Sequence, residues 1–217
     1  MNPKATTRQP RMSSEDRRAV ILDTACKLFA EKGYRGTTTR ELAAAAGVTE
    51  PVLYEHFRTK GDLYSAIIEA MARTGVEILS RLSLQFQDSA DDHAFFHALA
   101  ESIIDWYATD EAFVRLLLYS NLENHELKNL FHERSNGCFL IVSGYIARRQ
   151  SAGRIRAEID PAVAARGFFG MVAHYALTAV VFKVHPLAYE PKEAVRRMVD
   201  IFVSGMCVQD KSENNNE

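Results

Sequence analysis

Residues 37–60 have the sequence TTTRELAAAAGVTEPVLYEHFRTK, which contains two short helical patterns separated by a glycine. The alanines at positions 43–46 leave little side-chain bulk on the first helix, so a second helix can approach it closely. Gly47 tolerates the positive φ at which a chain leaves a helix. Thr49 can cap the second helix, and Pro51 falls in its first turn, where a missing N–H costs nothing. The stretch predicts two helices joined by a tight turn, which fits the major groove of DNA.

Each of the two helices has an inner and an outer face. The first helix is predicted to begin at Thr39, whose hydroxyl can accept a hydrogen bond from an unpaired backbone N–H. In the second helix Leu53 and Phe57 lie four residues apart and are expected to face inward. Tyr54 and His56 are then left on the outer faces, where they are available to a partner.

The outer side chains have the chemistry of a DNA-binding surface. Arg40 is the best candidate for base contact, because a guanidinium can grip O6 and N7 of guanine together, and Pro51 can touch a thymine methyl group. Lys60 brings a charge to the start of the next helix, where free N–H groups also attract anions. The predicted DNA-binding set is Thr38, Thr39, Arg40, Thr49, Glu50, Pro51, Tyr54, His56 and Lys60.

A helical hairpin with an ordinary polar surface is the alternative interpretation of the same residues. Taken singly, each of them is more often a surface or capping residue than a DNA contact. Their combined order and spacing favours DNA binding.

The same residues carry a family resemblance. The runs 29–34, 37–43, 46–49 and 53–60, followed by Leu63, resemble the TetR family of one-component regulators over roughly the first third of the chain. The resemblance implies an all-α homodimer that binds palindromic operators and releases them when a small molecule binds its larger domain. It implies base contacts by Arg40 and Pro51, and phosphate contacts by Thr39, Thr49, Tyr54, His56 and Lys60.

Two carboxylates depart from the family pattern within this surface. Glu50 and Glu55 would lie beside phosphates. Their charge is expected to weaken binding or to restrict the DNA sequences that are accepted.

The chain is predicted to divide into four segments. Residues 1–12 are expected to be a flexible basic arm, 13–60 the helix-turn-helix DNA-binding domain, 61–207 a helical effector-binding and dimerisation domain, and 208–217 a disordered polar tail. Ser13 can cap the first helix, which Gly33 ends. A long helix follows from Lys60, with further helices at about 91–109, 110–120, 123–151, 160–185 and 191–206, and no convincing strand.

Charge is distributed unevenly along the 217 residues. The net charge is only −2, but residues 1–60 hold 11 Lys or Arg and 7 Asp or Glu, whereas the remainder holds 15 and 21. The first part therefore carries +4 and the rest −6. A basic head on an acidic body is typical of a protein that meets DNA at one end.

Composition favours a cytoplasmic protein. The first twenty residues are polar and basic and do not form a secretory signal. The longest apolar run, 168–182, is interrupted by His174 and is shorter than the ~20 residues of a membrane span, so no membrane is expected as a partner. The three cysteines are widely spaced and form no Cys-x-x-Cys pattern. This argues against a disulfide framework or a zinc finger and indicates a reducing compartment.

The last two helices are predicted to associate with a second copy of the chain. Each has an apolar face, and two such helices from each subunit would form a four-helix interface; the alternative is that both faces pack into one subunit's own core. The family resemblance favours the homodimer, since paired half-sites require two DNA-binding heads at a fixed separation. The predicted interface residues are Phe169, Val172, Ala176, Val199, Phe202 and Met206.

The body is rich in aromatic residues, which line either a core or a ligand pocket. Sensor pockets combine such apolar walls with a few polar groups that orient the ligand. The candidates for pocket lining are Trp106, Cys138, His174 and Tyr175. The implied small-molecule effector is apolar or amphipathic, such as a drug, a fatty-acid derivative or an aromatic compound.

Other chemistry is poorly supported by the sequence. His93 and His97 have a spacing that can chelate a metal, but no third ligand is obvious nearby, so no metal site is predicted. Nucleotide-binding glycine motifs, nucleophile elbows and zinc-protease patterns do not occur. No cofactor and no enzymatic activity are expected.

The leading hypothesis is a ligand-responsive transcriptional repressor that binds a palindromic double-stranded operator as a dimer. One rival is a helical enzyme or carrier with an incidental helix-turn-helix. Another is an activator or a structural nucleoid protein, although the acidic body argues against broad DNA coating. Binding to one preferred palindrome separates the first hypothesis from its rivals.

Overall fold

The computed structural model of the protein describes residues 12–89, 91–123, 127, 129–184 and 187–208. The regular secondary structure of these residues is helical, as predicted, and their only extended pairing is one antiparallel bridge between Ile155 and Cys207. The predicted arm and tail lie outside the described residues, apart from Met12 and Val208. The α-helices are α1 (Ser14–Lys32), α2 (Thr39–Ala45), α3 (Glu50–His56), α4 (Lys60–Gln85), α5 (Asp92–Thr109), α6 (Glu111–Glu123), α7 (Leu130–Ser151), α8 (Pro161–Ala176) and α9 (Pro191–Met206).

Helix α1 begins and ends where the sequence predicts. The Ser13 hydroxyl accepts a hydrogen bond from the backbone N–H of Asp16 at 3.0 Å. Gly33 follows the last turn with φ +74° and donates its N–H to the carbonyl of Phe29. These two residues fix the length of α1.

Helix α2 is capped by Thr38, so the predicted cap at Thr39 was wrong. The Thr38 hydroxyl accepts from the Glu41 N–H at 3.2 Å, and the Glu41 carboxylate accepts from the Thr38 N–H at 2.9 Å. This reciprocal pair requires a carboxylate three residues after the cap, a spacing that Glu41 gives to Thr38. Thr39 becomes the first helical residue, and its hydroxyl is free for a different contact.

The head has its own apolar core, and that core does not stop at residue 60. It is formed by α1, α2 and α3, by the N-terminal half of α4 and by α6. Its buried residues include Ile21, Phe29, Leu42, Leu53, Phe57, Leu63, Tyr64, Ile68, Phe113 and Leu116. The head therefore packs directly against an element of the body, and the predicted boundary between residues 60 and 61 is not a boundary in packing.

A second core fills the body between α5, α7, α8 and α9. It includes Phe95, Phe96, Leu99, Val142, Tyr145, Phe168, Val172, Ala176, Val195, Val199 and Val203. A buried ion pair fixes the start of α5 to α7: Asp92 accepts from Arg149 Nε at 2.5 Å and from the Tyr145 hydroxyl at 2.8 Å. A buried carboxylate needs such partners, since an unpaired buried charge is strongly unfavourable.

Three predicted helix boundaries differ from the structure. Helix α6 runs on to Glu123, whose carboxylate is held by the head, and α7 begins at Leu130 rather than at 123. Helix α8 passes into a π-helical turn at Leu177–Val181, and Lys183 has φ +56°, which ends the helical run before residue 185.

The helical run Pro161–Val181 is long and apolar enough to cross a membrane by length and composition alone. Ala165, Phe168 and Val172 on its inner side are fully buried against the rest of the body. Packing within the body core therefore explains the apolar character of its inner side, which is 39% of the apolar window.

Candidate nucleic-acid interface

The turn between α2 and α3 has the predicted construction. Gly47 has φ +67°, and an added Cβ there would meet no atom within 4 Å, so the backbone conformation alone calls for glycine. Leu42, Leu53 and Phe57 are each at most 4% exposed, which confirms the inner face. Helix α3 therefore lies across α2 with its opposite side turned outward.

Three residues of the predicted set form a hydrogen-bonded chain between the two helices. The Thr39 hydroxyl donates to Glu50 Oε2 at 3.2 Å, and the Tyr54 hydroxyl donates to Thr39 Oγ1 at 3.3 Å. Tyr54 remains 44% exposed. The chain ties α2 to α3, and it gives the Glu50 carboxylate a partner inside the protein.

The exposed members of the set surround this chain. Thr38, Arg40, Thr49 and Pro51 are exposed, while His56 is half-buried at the end of α3. The Arg40 guanidinium has no hydrogen bond or ion pair within the described residues. Its five donors are thus available to a partner.

The electrostatics around α2 favour its capping contact. Hydrogen bonds from Lys32 and then from Thr38 lower the pKa of Glu41 to about 2. The Lys32 ammonium lies 2.7 Å from Glu41 Oε1. Glu41 is therefore ionised at neutral pH and holds the N-terminus of α2 in place beside Arg40.

Lys60 was predicted to contact phosphate, but two of its three N–H donors serve the fold. Its ammonium donates to the carbonyls of Tyr34 at 2.8 Å and Thr37 at 2.9 Å, and it lies 4.4 Å from the centre of the Tyr34 ring. Burial lowers the pKa of Lys60, and the charge of Glu123 opposes that effect. Lys60 thus fastens the start of α4 to the loop between α1 and α2.

A second residue holds the same loop from the body, and sequence reasoning missed it. Glu123, at the end of α6, accepts from the backbone N–H groups of Tyr34 at 2.9 Å and Arg35 at 3.2 Å. An added Cβ on Gly33 would lie 1.9 Å from Glu123 Oε1. We call these contacts between Glu123 and residues 33–35 the Glu123 clamp.

Replacing Lys60 with methionine is expected to lower the free energy of unfolding by about 1 kcal/mol, because two hydrogen bonds to carbonyls are lost. Urea unfolding measures this loss, with Lys27→Met, an exposed lysine of α1, as the control. If stability is unchanged and the salt dependence of DNA binding instead flattens by about one unit, Lys60 acts mainly on a phosphate.

The predicted pocket residues are not brought together. His174 is exposed on α8, so it does not line the interior of one subunit, whereas Tyr175 is 4% exposed within the body core. Trp106 packs on Phe113, with ring centres 5.8 Å apart, and belongs to the head core. Cys138 lies at the contact of α4 with α7, close to Gly75.

Two surface clefts occur in the body, with volumes of about 440 and 380 Å³. Neither is lined by the four predicted pocket residues. The first is lined by Ser89, Asp91, Asp92, His93, Arg154 and Cys207, and the second by Ser83, Leu84, Gln87, Tyr145, Arg148, Arg149 and Ala152.

The predicted dimer interface was wrong for four of its six residues. They are at most 5% exposed within one chain, because the apolar stripes of α8 and α9 face the chain's own core; these residues are Val172, Ala176, Val199 and Met206. Phe169 and Phe202 are half-buried in ring contacts with Phe139 and Phe96 of the same chain. Amphipathic periodicity marks a buried stripe but does not tell which chain buries it.

The fold and this surface define a helix-turn-helix protein with a larger helical body, and the comparison with known families agrees. Residues 21–67 match the family of bacterial regulatory proteins described as the tetR family. Residues 97–205 match the C-terminal domain of the AefR-like transcriptional repressors. The chain belongs to the TetR family of bacterial regulatory proteins.

Individual relatives share either sequence or fold with the chain. The transcriptional activator FasR of Mycolicibacterium smegmatis is 30% identical over 107 residues, which are 49% of this chain and 48% of FasR. The chain spans about half or less of the length of such curated relatives.

Solved structures confirm the fold over nearly the whole chain. FadR of Bacillus subtilis, solved with stearoyl-CoA, has a TM-score of 0.72 at 21% identity and covers 86% of this chain and 98% of its own. AibR, solved with isovaleryl coenzyme A and operator DNA, has a TM-score of 0.59 at 24% identity, with 85% and 97% covered.

Proposed function

We propose that the protein is a ligand-responsive transcriptional repressor and not an enzyme. The observation that carries the proposal is the outward face of α2 and α3, where the unpaired Arg40 guanidinium lies beside the chain of Thr39, Glu50 and Tyr54. Membership of the TetR family and the match to a repressor C-terminal domain support it. Such a regulator works on chromosomal DNA, in the cytoplasm.

The proposed mode of binding places α3 in the major groove. Arg40 donates to O6 and N7 of a guanine, and Pro51 touches a thymine methyl group. Thr38, Thr49, Tyr54 and His56 contact phosphates and fix the register. Glu50, whose carboxylate already accepts from Thr39, orients that hydroxyl rather than facing a phosphate.

A palindromic operator requires two heads, and we propose a homodimer built on the outer faces of α8 and α9. On α8 an exposed stripe of Val163, Gly167, Gly170 and His174 recurs at helical spacing, with open space above both glycines. On α9 Ile201 is 77% exposed. Small residues let two helices approach closely, and Val163 and Ile201 offer apolar side chains that are exposed in one chain and would be buried against a second copy.

Replacing Ile201 with aspartate is expected to convert the dimer into monomers, because a carboxylate would be buried without a partner at the proposed contact. Light scattering after gel filtration would show the mass falling from about twice 24.4 kDa to a single chain. Leu84→Asp is the control, since Leu84 is 69% exposed on α4 and away from the proposed interface. A dimeric Ile201→Asp variant, or equal dissociation of both variants, would place the interface elsewhere.

The proposed effector is amphipathic, and an acyl thioester of coenzyme A is the first compound to test. FadR and AibR, solved with such thioesters, share the fold. Trp106 and Cys138 remain proposed lining residues, since both are partly buried, Trp106 against the head core and Cys138 against the body core. Ligand entry would require the packed helices there to separate, which favours a second conformation by population shift.

The Glu123 clamp could transmit a ligand-induced movement of the body to the DNA-binding head. Helix α6 packs on α1 and holds residues 34 and 35 through its last residue. A displacement of α6 by a ligand would therefore pull on the loop before α2 and change the separation of the two α3 helices. Lower operator affinity follows from the ligand's preference for that displaced state.

Selection of bound duplexes from a random pool tests the proposed function. We expect one enriched palindrome, bound by two chains, with an affinity that falls steeply as salt rises. Recovery of sequences that bind no better than random DNA would contradict a site-specific regulator and favour the enzyme or nucleoid alternatives. Addition of a long-chain acyl-CoA is expected to release the enriched duplex.

A further inference from the structure

Three metal-ligating side chains meet where α5 packs against α9. His93 and His97 lie one turn apart on α5, and Asp200 faces them from α9. Asp200 Oδ1 is 2.9 Å from His97 Nε2 and 3.4 Å from His93 Nδ1. The third ligand that the sequence did not reveal is therefore present, 103 residues along the chain from His97.

The spacing suits a transition-metal ion. Bonds of ~2.0 Å in a tetrahedral site place ligand atoms about 3.3 Å apart. The three ligand atoms here all lie within 4.8 Å of one another, and both distances to Asp200 are close to that value. The two imidazole nitrogens, which lie within 4.8 Å of each other, need to approach by at most about 1.5 Å, through rotation of side chains that are partly exposed.

The two oxygens of the Asp200 carboxylate have different neighbours. Oδ1 of Asp200 faces the histidines, whereas Oδ2 lies 3.9 Å from Arg196 Nη1. Arg196 is itself paired with Glu193 at 2.9 Å, and Glu193 also pairs with Arg197 at 2.8 Å. Oδ1 of Asp200 is therefore the oxygen that a metal ion between the two imidazoles would meet.

Solvent can reach the cluster. The side chains of His93 and Asp200 are 45% and 42% exposed, and that of His97 is 25% exposed. His93 also lines the open cleft of about 440 Å³. Water or a small anion can therefore complete the coordination shell, as in sites that keep an open position.

We propose that His93, His97 and Asp200 form a binding site for a divalent transition-metal ion that prefers imidazole, with Zn²⁺ as the reference ion. Bound metal would join α5 to α9 across the body core. Because the unfolded chain does not hold the three ligands together, metal binding would stabilise the fold. The site is separate from the DNA-binding surface and does not depend on the proposed effector.

Calorimetric titration of Zn²⁺ into the tag-free, chelator-treated full chain tests the proposal. We expect one ion per chain and a melting temperature that rises with Zn²⁺. His97→Ala and Asp200→Asn are expected to weaken binding at least ~tenfold and to abolish that rise. His132→Ala is the control, because His132 is exposed on α7 outside the cluster, and it should bind as the parent does.

Two results would overturn the metal site. One is the absence of saturable Zn²⁺ binding by the parent chain, which would reduce the cluster to contacts of the Asp200 carboxylate with the two imidazoles. The other is equal Zn²⁺ binding by the parent and by Asp200→Asn. Asparagine has the size of aspartate, so this variant tests the site even if His97→Ala does not fold. Neither result bears on operator selection, so this proposal and the proposed function fail independently.

Discussion

Replacing Gly33 with alanine is expected to lower the free energy of unfolding by about 3–5 kcal/mol. Gly33 has φ +74° and ψ +170°, a region of backbone conformation that is essentially restricted to glycine. The new Cβ would also lie 1.9 Å from Glu123 Oε1 and would displace the carboxylate from the N–H groups of Tyr34 and Arg35. Strain and lost hydrogen bonds therefore add.

Urea unfolding at matched protein concentration measures this loss, and Gly153→Ala is the control. Gly153 has φ +69°, but an added Cβ there would meet no atom within 4 Å, so only the backbone cost of about 1–2 kcal/mol is expected. In a Glu123→Ala background the additional cost of Gly33→Ala should shrink toward that smaller value. Strictly additive losses would mean that the Glu123 clamp is absent in solution.

Replacing Arg40 with alanine is expected to weaken binding to the selected operator by about 1–3 kcal/mol and to relax discrimination at one base pair in each half-site. The reason is that the unpaired guanidinium is the group on this surface that can bind guanine at two points. Fluorescence anisotropy with the operator and with single-base variants measures both effects.

Which duplexes lose affinity in the Arg40→Ala variant tells more about the contact than the size of the loss. Lys27→Ala, which removes an exposed charge of α1 that is paired with Asp23, is expected to leave base discrimination unchanged. If Arg40→Ala weakens every duplex alike and only flattens the salt dependence, Arg40 contacts phosphate and the base contact has been assigned to the wrong residue.

The local architecture of the head could be predicted from the sequence because its signals are local. Gly47 marks the turn between α2 and α3 by its backbone freedom, and the spacing of Leu53 and Phe57 marks the inner face. The one local error was the cap of α2. Thr38 and Thr39 can both accept the capping hydrogen bond, and the position of Glu41 selects Thr38.

The contacts that depend on distant residues could not be predicted in the same way. Lys60 bonds to a loop more than twenty residues earlier, and Glu123 bonds to residues 88 and 89 positions before it. Asp200 meets His97 only after α5 and α9 have packed. Sequence spacing carries no signal for such pairs.

The dimer interface shows why periodicity alone misled. Val172 and Val199 lie on the strongest apolar stripes of their helices, and the chain's own core takes those stripes. The faces left open hold glycines and single apolar residues such as Val163 and Ile201, which no apolar pattern distinguishes. The surface that can bind a second copy can be identified only when the exposed residues of the folded chain are known.

Methylation interference on the selected duplex tests most directly whether α3 enters the major groove. The proposed geometry predicts that methylation of guanine N7, on the major-groove edge, blocks binding at symmetric positions in two half-sites whose centres lie one helical turn or a multiple of it apart. Interference confined to adenine N3 in the minor groove, or spread evenly along the duplex, would contradict it.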